Sequence, residues 1–216
     1  MMDPVTSYGS RALRRDAAEN RDKILEAARA SFDEEGFEIG MEAIAQRAGV
    51  GVGTVYRRFP TKELLIAAVV DEVLAAIRDA ALAASDHESA TEGLTEYLFT
   101  VGRLQFEHAG CLPRLWNGAD DAVRREIEAI SRQLLAKAQA TGSVRGDVVY
   151  EDIATILWSL QGVIERTATV APDAWRRHLD LLIQALTQGD IPLAHAPLTP
   201  QQAERVKREP RRGLNS

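Results

Sequence analysis

The sequence predicts an all-α protein in two parts, a head of three short helices and a larger helical body behind it. Three observations carry that expectation. Apolar residues recur at i, i+3 and i+4 spacing, and no stretch keeps the period of two that marks a half-buried strand. Glycine or proline closes most of the apolar stretches, at Gly36, Gly49, Pro60, Gly142 and Gly189. The chain has 216 residues, 45% hydrophobic and 27% charged, which is enough length and apolar content for one medium domain or two small ones.

Residues 1–19 show neither period and carry Arg11, Arg14 and Arg15, so they are expected to form a flexible basic arm. The first helix is expected from Asn20, with Ile24, Leu25, Ala28 and Phe32 on one face and Gly36 in the left-handed cap position. After GFEIG, a helix over Met41–Ala48 sets Met41, Ile44, Ala45 and Ala48 on one side, and Gly49 stops it. The third helix spans about Val52–Phe59, turning Val55 and Phe59 inward, and Pro60 ends it. Thr61 caps a long fourth helix reaching about Ala84.

Beyond it, Leu94, Leu98, Val101 and Leu104 mark one helix, followed by a break at Gly110–Pro113 and a short segment around Leu115–Trp116. Asp120 caps a helix through Ala138, closed by Gly142. The helix expected over Ile153–Thr169 is apolar on more than one face, which asks for cover on both sides, and a second copy of the chain could supply one of them. Pro172 opens the next helix, with Trp175, Leu179, Leu182 and Leu186, ending at Gly189. Residues 190–216 hold four of the eight prolines and read as a disordered tail with a short helix around Gln201–Lys207.

The net charge of −6 argues against a general nucleic-acid coat. Up to Lys62, however, ten basic residues balance ten acidic ones, so the acidic excess lies wholly in the body. From Ala43 to Lys62 there is no acid at all, while Arg47, Arg57, Arg58 and Lys62 are present. No run of about 20 apolar residues could span a bilayer. An N-terminus without an apolar signal core and a single cysteine, Cys111, place the expected location in the cytoplasm.

Gly49, Gly51 and Gly53 suggest a phosphate-binding loop at first sight. A dinucleotide fingerprint needs GxGxxG after a strand and a P-loop needs GxxxxGK[ST], and neither spacing is met. Enzymatic chemistry finds no constellation either. His87, His108, His178 and His195 are scattered, and His108 with Cys111 is one isolated pair, so no catalytic residue, metal or cofactor is assigned.

The same glycines fit a helix-turn-helix over about residues 41–59. Two steeply crossing helices need a small residue at their contact, a glycine in the turn and an apolar lock on the second helix, and Ala45, Gly49 and Val55 supply them. With Val55 and Phe59 inside, Val52, Thr54, Tyr56, Arg57 and Arg58 remain on the outer side. Arginine pairs with guanine edges in the major groove and valine or threonine methyls meet thymine. Tyrosine and lysine reach phosphates. Lys62 stands in the first turn of a helix, where an anion shared with the free N–H groups would offset its unfavourable position.

The run AIAQRAGVGVGTVYRRFPTKELLIAAV resembles the N-terminal domain of the TetR family of transcriptional regulators, with similarity over residues 20 to about 70. The resemblance implies an all-helical homodimer with a DNA-binding domain, here 20–66, and a C-terminal domain for dimerisation and effector binding, here 67–189. By position it implies that Thr54, Tyr56 and Lys62 touch the DNA backbone, while Val52, Arg57 and Arg58 face the groove. Gly40 and Gly51 replace hydroxyl-bearing caps, so Met41 and Gly51 join the set only through backbone N–H groups. Candidate effector-pocket residues are Arg103, Phe106, His108, Trp116, Trp158 and Gln161. Candidate dimer-interface residues are Ile156, Leu160, Ile164, Trp175, Leu179 and Leu182. The expected function is a homodimeric repressor released from a pseudo-palindromic operator on double-stranded DNA by a small-molecule effector. The alternative is a non-specific DNA-architectural protein that uses the same head without switching.

Overall fold

Nine α-helices make up the described part of the chain: α1 Val5–Glu35, α2 Met41–Ala48, α3 Val52–Arg58, α4 Lys62–Ser85, α5 Ala90–Glu107, α6 Asp121–Ala140, α7 Tyr150–Thr167, α8 Ala174–Thr187 and α9 Pro200–Arg208. The structure is a computed structural model that describes residues 5–109, 121–187 and 191–208, with backbone only at 5–17, 121 and 208. The chain divides into two compact units, one up to Val70 and one from Asp71, four residues beyond the boundary expected from the sequence.

In the first unit, α1 packs on α2 and α2 on α3. Ile24, Ala28, Phe32, Ile44 and Val55 have no exposed surface, and Leu25, Ala45 and Phe59 little. Each large apolar side chain buried this fully stabilises the fold by roughly 1.5–3 kcal/mol. The Phe32 and Phe37 rings meet with centroids 5.1 Å apart, closing the end of this core. One expectation is corrected here. α1 starts at Val5 rather than at Asn20, so most of the expected flexible arm is helical backbone and Asn20 is no cap. The stretch ALRRDAAEN favours helix by propensity alone, and a helix extended from an existing one needs neither a new nucleus nor an apolar stripe.

The second unit is built around α5, which packs against α6, α7 and α8. A Cβ at Gly102 would stand 2.6 Å from a Trp175 ring carbon, so only glycine lets the α8 indole lie against α5. Trp175 is 1% exposed, with Phe99 and Phe106 beside it at ring distances of 6.3 and 6.4 Å. Between α6 and α7 the Gln139 amide donates to the carbonyls of Arg145 (3.0 Å) and Val148 (2.8 Å), which holds the connecting loop. Asp152 accepts from the Val149 N–H at 2.9 Å and caps α7.

The C-terminal segment has the short helix expected around Gln201–Lys207, but its described part is tied to the body rather than disordered. Arg145 donates to the Ile191 carbonyl at 2.6 Å, and the Leu193 N–H donates to Asp147 at 3.0 Å. Thr199 caps α9 by accepting from the Gln202 N–H, Ala203 is 4% exposed, and Lys207 pairs with Glu128 of α6. The segment is held by hydrogen bonds and one lysine rather than by an apolar face.

Candidate nucleic-acid interface

α2 ends because Gly49 takes φ 66° and ψ 29°, a left-handed conformation that a side chain would strain. The chain reverses there, with the Val50 N–H donating to the Ala45 carbonyl at 3.0 Å. Gly51 is extended, and its carbonyl accepts from the Thr54 N–H at 2.8 Å, which starts α3. No side chain caps either α2 or α3, so the first-turn N–H groups at Met41 and after Gly51 have no side-chain acceptor. The Met41 side chain itself is only 4% exposed and belongs to the core. Any role for it in binding is confined to its backbone.

Val55 is fully buried and orients α3. Val52 is 41% and Tyr56 43% exposed, and Arg57 and Arg58 are exposed beside them. Arg57 donates to the Thr54 hydroxyl at 3.0 Å, so the two outward side chains one turn apart are already coupled. Pro60 and Thr61 turn the chain into α4, where the Thr61 hydroxyl accepts from the Leu64 N–H at 3.3 Å. Lys62 follows as the first residue of α4 and is half-buried.

Two residues change the picture drawn from the sequence. Arg47 makes a two-pronged ion pair with Glu34 of α1 at 2.8 and 2.5 Å, so it is engaged within the unit. That hydrogen bond, with the opposite charge behind it, lowers the Glu34 carboxyl and raises the Arg47 guanidinium. Glu42, which sequence reasoning passed over, accepts from the Tyr56 hydroxyl at 3.3 Å. Its charge, with some desolvation and the hydrogen bond, raises the Tyr56 phenol above its ordinary value. The signal was present in the sequence as an acid in the first turn of α2, fourteen positions before the tyrosine.

In the second unit the expected effector residues are scattered. Arg103 is exposed and pairs with Glu107 at 2.6 Å, Phe106 packs near Trp175, and Gln161 is buried and donates to Glu165 at 3.1 Å. His108 ends α5 as its C-cap, and Trp116 lies outside the described residues. Of these, Trp158 alone lines a partly open cavity of about 40 Å³, whose other walls include Leu74 and Ile77 of α4, Val101 of α5, Ile127 of α6 and Leu157 of α7. Its polar lining includes Tyr97 and Ser131, whose hydroxyls share a 2.9 Å hydrogen bond. Tyr97 was legible as a lone hydroxyl within an apolar stripe.

The expected interface set separates in two. Leu160, Ile164, Trp175 and Leu179 are at most 1% exposed within a single chain, so they form its core and not a face for a second copy. Ile156 and Leu182 line an open, mainly apolar groove of about 360 Å³ with Val148, Leu186 and His178. His178 also shares a 3.0 Å hydrogen bond with Ser159. Among the described residues no three His, Cys, Asp or Glu side chains converge as metal ligands, and no helix is long and apolar enough to cross a membrane.

Residues 24–69 match the family described as bacterial regulatory proteins, tetR family. The chain is 32% identical to a TetR transcription regulatory protein from Mycobacterium vanbaalenii whose crystal structure is known, over 82% of this chain and 99% of that one, with a TM-score of 0.59. A TetR transcriptional regulator from Streptomyces coelicolor is 31% identical, over 77% and 98%, also at 0.59. An HTH-type transcriptional regulator of Staphylococcus aureus (strain USA300) is 48% identical over 63 residues. That likeness spans 29% of this chain and about a third, 34%, of the relative's length.

Proposed function

Because the chain belongs to the TetR family of DNA-binding transcriptional regulators, we propose that it is a homodimeric repressor, acting in the cytoplasm and released from its operator by a small molecule. The observation that carries this reading is the outward face of α3. Val52, Arg57 and Arg58 stand exposed on a short helix that Val55 and Gly49 hold in place, with Tyr56 and Lys62 at its flanks. Arg57, Arg58 and Val52 would meet base edges, and Thr54, Tyr56 and Lys62 phosphates.

A dimer presents two copies of α3 about one helical turn of DNA apart, so the operator should be pseudo-palindromic. The groove holding Ile156 and Leu182 is the surface we assign to the second copy. For release, α4 offers a route. One unbroken helix carries Lys62 at its start and Leu74 and Ile77, which line the cavity, further along. A coupling of ~1–3 kcal/mol between cavity and operator suffices for a usable switch.

Selection of bound DNA from a random pool tests the proposal. A recovered motif with two-fold symmetry is expected, and bound sequences without any shared motif would point to an architectural protein instead.

A further inference from the structure

We infer that α9 is a gate on the cavity between α4, α5, α6 and α7, and that the cavity admits a small, uncharged, mainly apolar ligand when α9 lifts. This rests on the proposal that the body binds an effector and adds which molecule class it takes and what controls access.

The walls of the cavity come from α4, α5, α6 and α7, except for one residue from far along the chain, Lys207. Its side chain is 16% exposed, and its ammonium lies 3.3 Å from Glu128 Oε2 and 2.7 Å from Glu204 Oε1. The aliphatic stem thus closes a wall while the charge is held outside by carboxylates, the usual division for a long cationic side chain. At about 40 Å³ the cavity has room for a few waters at most, and its lining is mainly apolar, so a larger ligand requires a wall to move.

α9 is the wall suited to moving. Its sequence, PQQAERVKR, offers Ala203 as its only fully buried apolar side chain, and Val206 is 49% exposed. Lifting it also leaves no stranded charge. Glu128 keeps Arg132, which donates to it at 2.9 and 3.1 Å and to Glu151 at 2.7 Å. The strap before α9 remains tied at Ile191 and Leu193, so the helix can leave and return without losing its place.

The ligand class follows from the lining. The two charged residues there are Lys207, held by its carboxylates, and Arg124, which has interactions of its own. Inside, the hydroxyl pair of Tyr97 and Ser131 is buried among aliphatic side chains. A charged ligand would have to be desolvated in that mainly apolar lining, whereas a single hydroxyl could donate to the pair, whose own protons are taken up between the two hydroxyls and the Ile127 carbonyl.

The test titrates the full-length protein with N-phenyl-1-naphthylamine, an uncharged dye that brightens in apolar surroundings. Lys207→Glu sets a carboxylate against Glu128 and Glu204 and is expected to raise dye affinity at least fivefold. Lys207→Arg, which keeps a cation facing Glu128 and Glu204, should hold the affinity within twofold of the parent. Ala154→Leu, which fills the cavity, should remove the gain. An unchanged affinity in Lys207→Glu overturns the gate, and so does a gain that survives Ala154→Leu. If Lys207→Glu loses helical circular dichroism, Ala203→Asp, which disturbs the seat of α9 alone, serves the same comparison. Operator affinity without dye is measured in parallel. Its absence would count against the DNA reading, whereas a flat dye titration counts against the gate alone.

Discussion

The Tyr56 hydroxyl lies 3.3 Å from Oε1 of Glu42, which joins the flank of α3 to the first turn of α2 by a bond that a phosphate would have to replace. The acid also places negative charge beside the surface proposed for the DNA backbone. Glu42→Gln is therefore expected to strengthen binding to specific and random DNA alike, by up to about fivefold at low salt, the range of a single surface charge. Fluorescence anisotropy with both DNAs checks it. A gain confined to the specific site would mean that Glu42 faces bases.

Arg57 and Lys62 should fail in different ways. Arg57→Ala is expected to cost ~1–3 kcal/mol against one preferred base and to relax specificity at that position. Lys62→Ala should weaken all sequences alike and flatten the salt dependence by about one unit. Salt titrations on matched and singly mismatched sites separate the two. If Lys62→Ala changed base preference at a constant salt slope, the division of roles would be wrong.

Gly102→Ala drives a methyl to within 2.6 Å of the buried Trp175 ring, so it should destabilise the C-terminal unit by ~1–3 kcal/mol. Gly162→Ala, where a Cβ would meet nothing within 4 Å, should stabilise α7 by up to ~1 kcal/mol. Urea unfolding of both variants reads the contrast directly. A stability loss at Gly162 would show that a second copy covers it.

The two kinds of apolar residue on α7 and α8 also separate by experiment. Ile156→Lys or Leu182→Lys should yield a folded monomer in sedimentation, because both line the open groove. Leu160→Ala should instead lower stability by ~2–5 kcal/mol, as a fully buried leucine does. A dimer that persists in both lysine variants would move the interface elsewhere.

The Arg145 hydrogen bond and the Leu193 N–H hold the Asp147 carboxyl down from 3.8 to about 2. A depressed carboxyl contributes its stabilisation above the unfolded value, so this tie between the α6–α7 loop and the C-terminal strap should be complete above pH ~3.8 and be lost as pH falls through about 2. The Leu193 amide shift should titrate with a midpoint near 2, and Asp147→Asn should abolish that titration. A midpoint at the ordinary value would show the strap to be free.

The head was legible because local rules and tertiary packing agree there. Ala45, Gly49 and Val55 each have one physical reason to stand where they do, and α2 spans the residues expected. α1 was read fifteen residues short, since its first half has helix propensity without the stripe that reveals burial. In the body, an apolar residue on a helix covered from two sides does not say which neighbour covers it. Trp175 and Leu160 suggested a partner chain until Gly102 and α5 were seen to take that side. The cavity draws its walls from helices distant in sequence, and no spacing rule joins Leu74, Tyr97, Ser131 and Leu157 in advance.

The brevity of α3 limits how much the protein can read. Seven residues rise about 10 Å, the length of roughly three base pairs. Three positions distinguish about 64 sequences, and two copies about 4,000, whereas a genome offers at least ~10⁶ competing sites. Base contacts alone would leave hundreds of equally good addresses. For the proposed dimer, further discrimination is available where side chains never touch a base, in the spacing, width and pliability of the DNA between the half-sites. Operator variants altered only in that uncontacted centre should therefore be told apart.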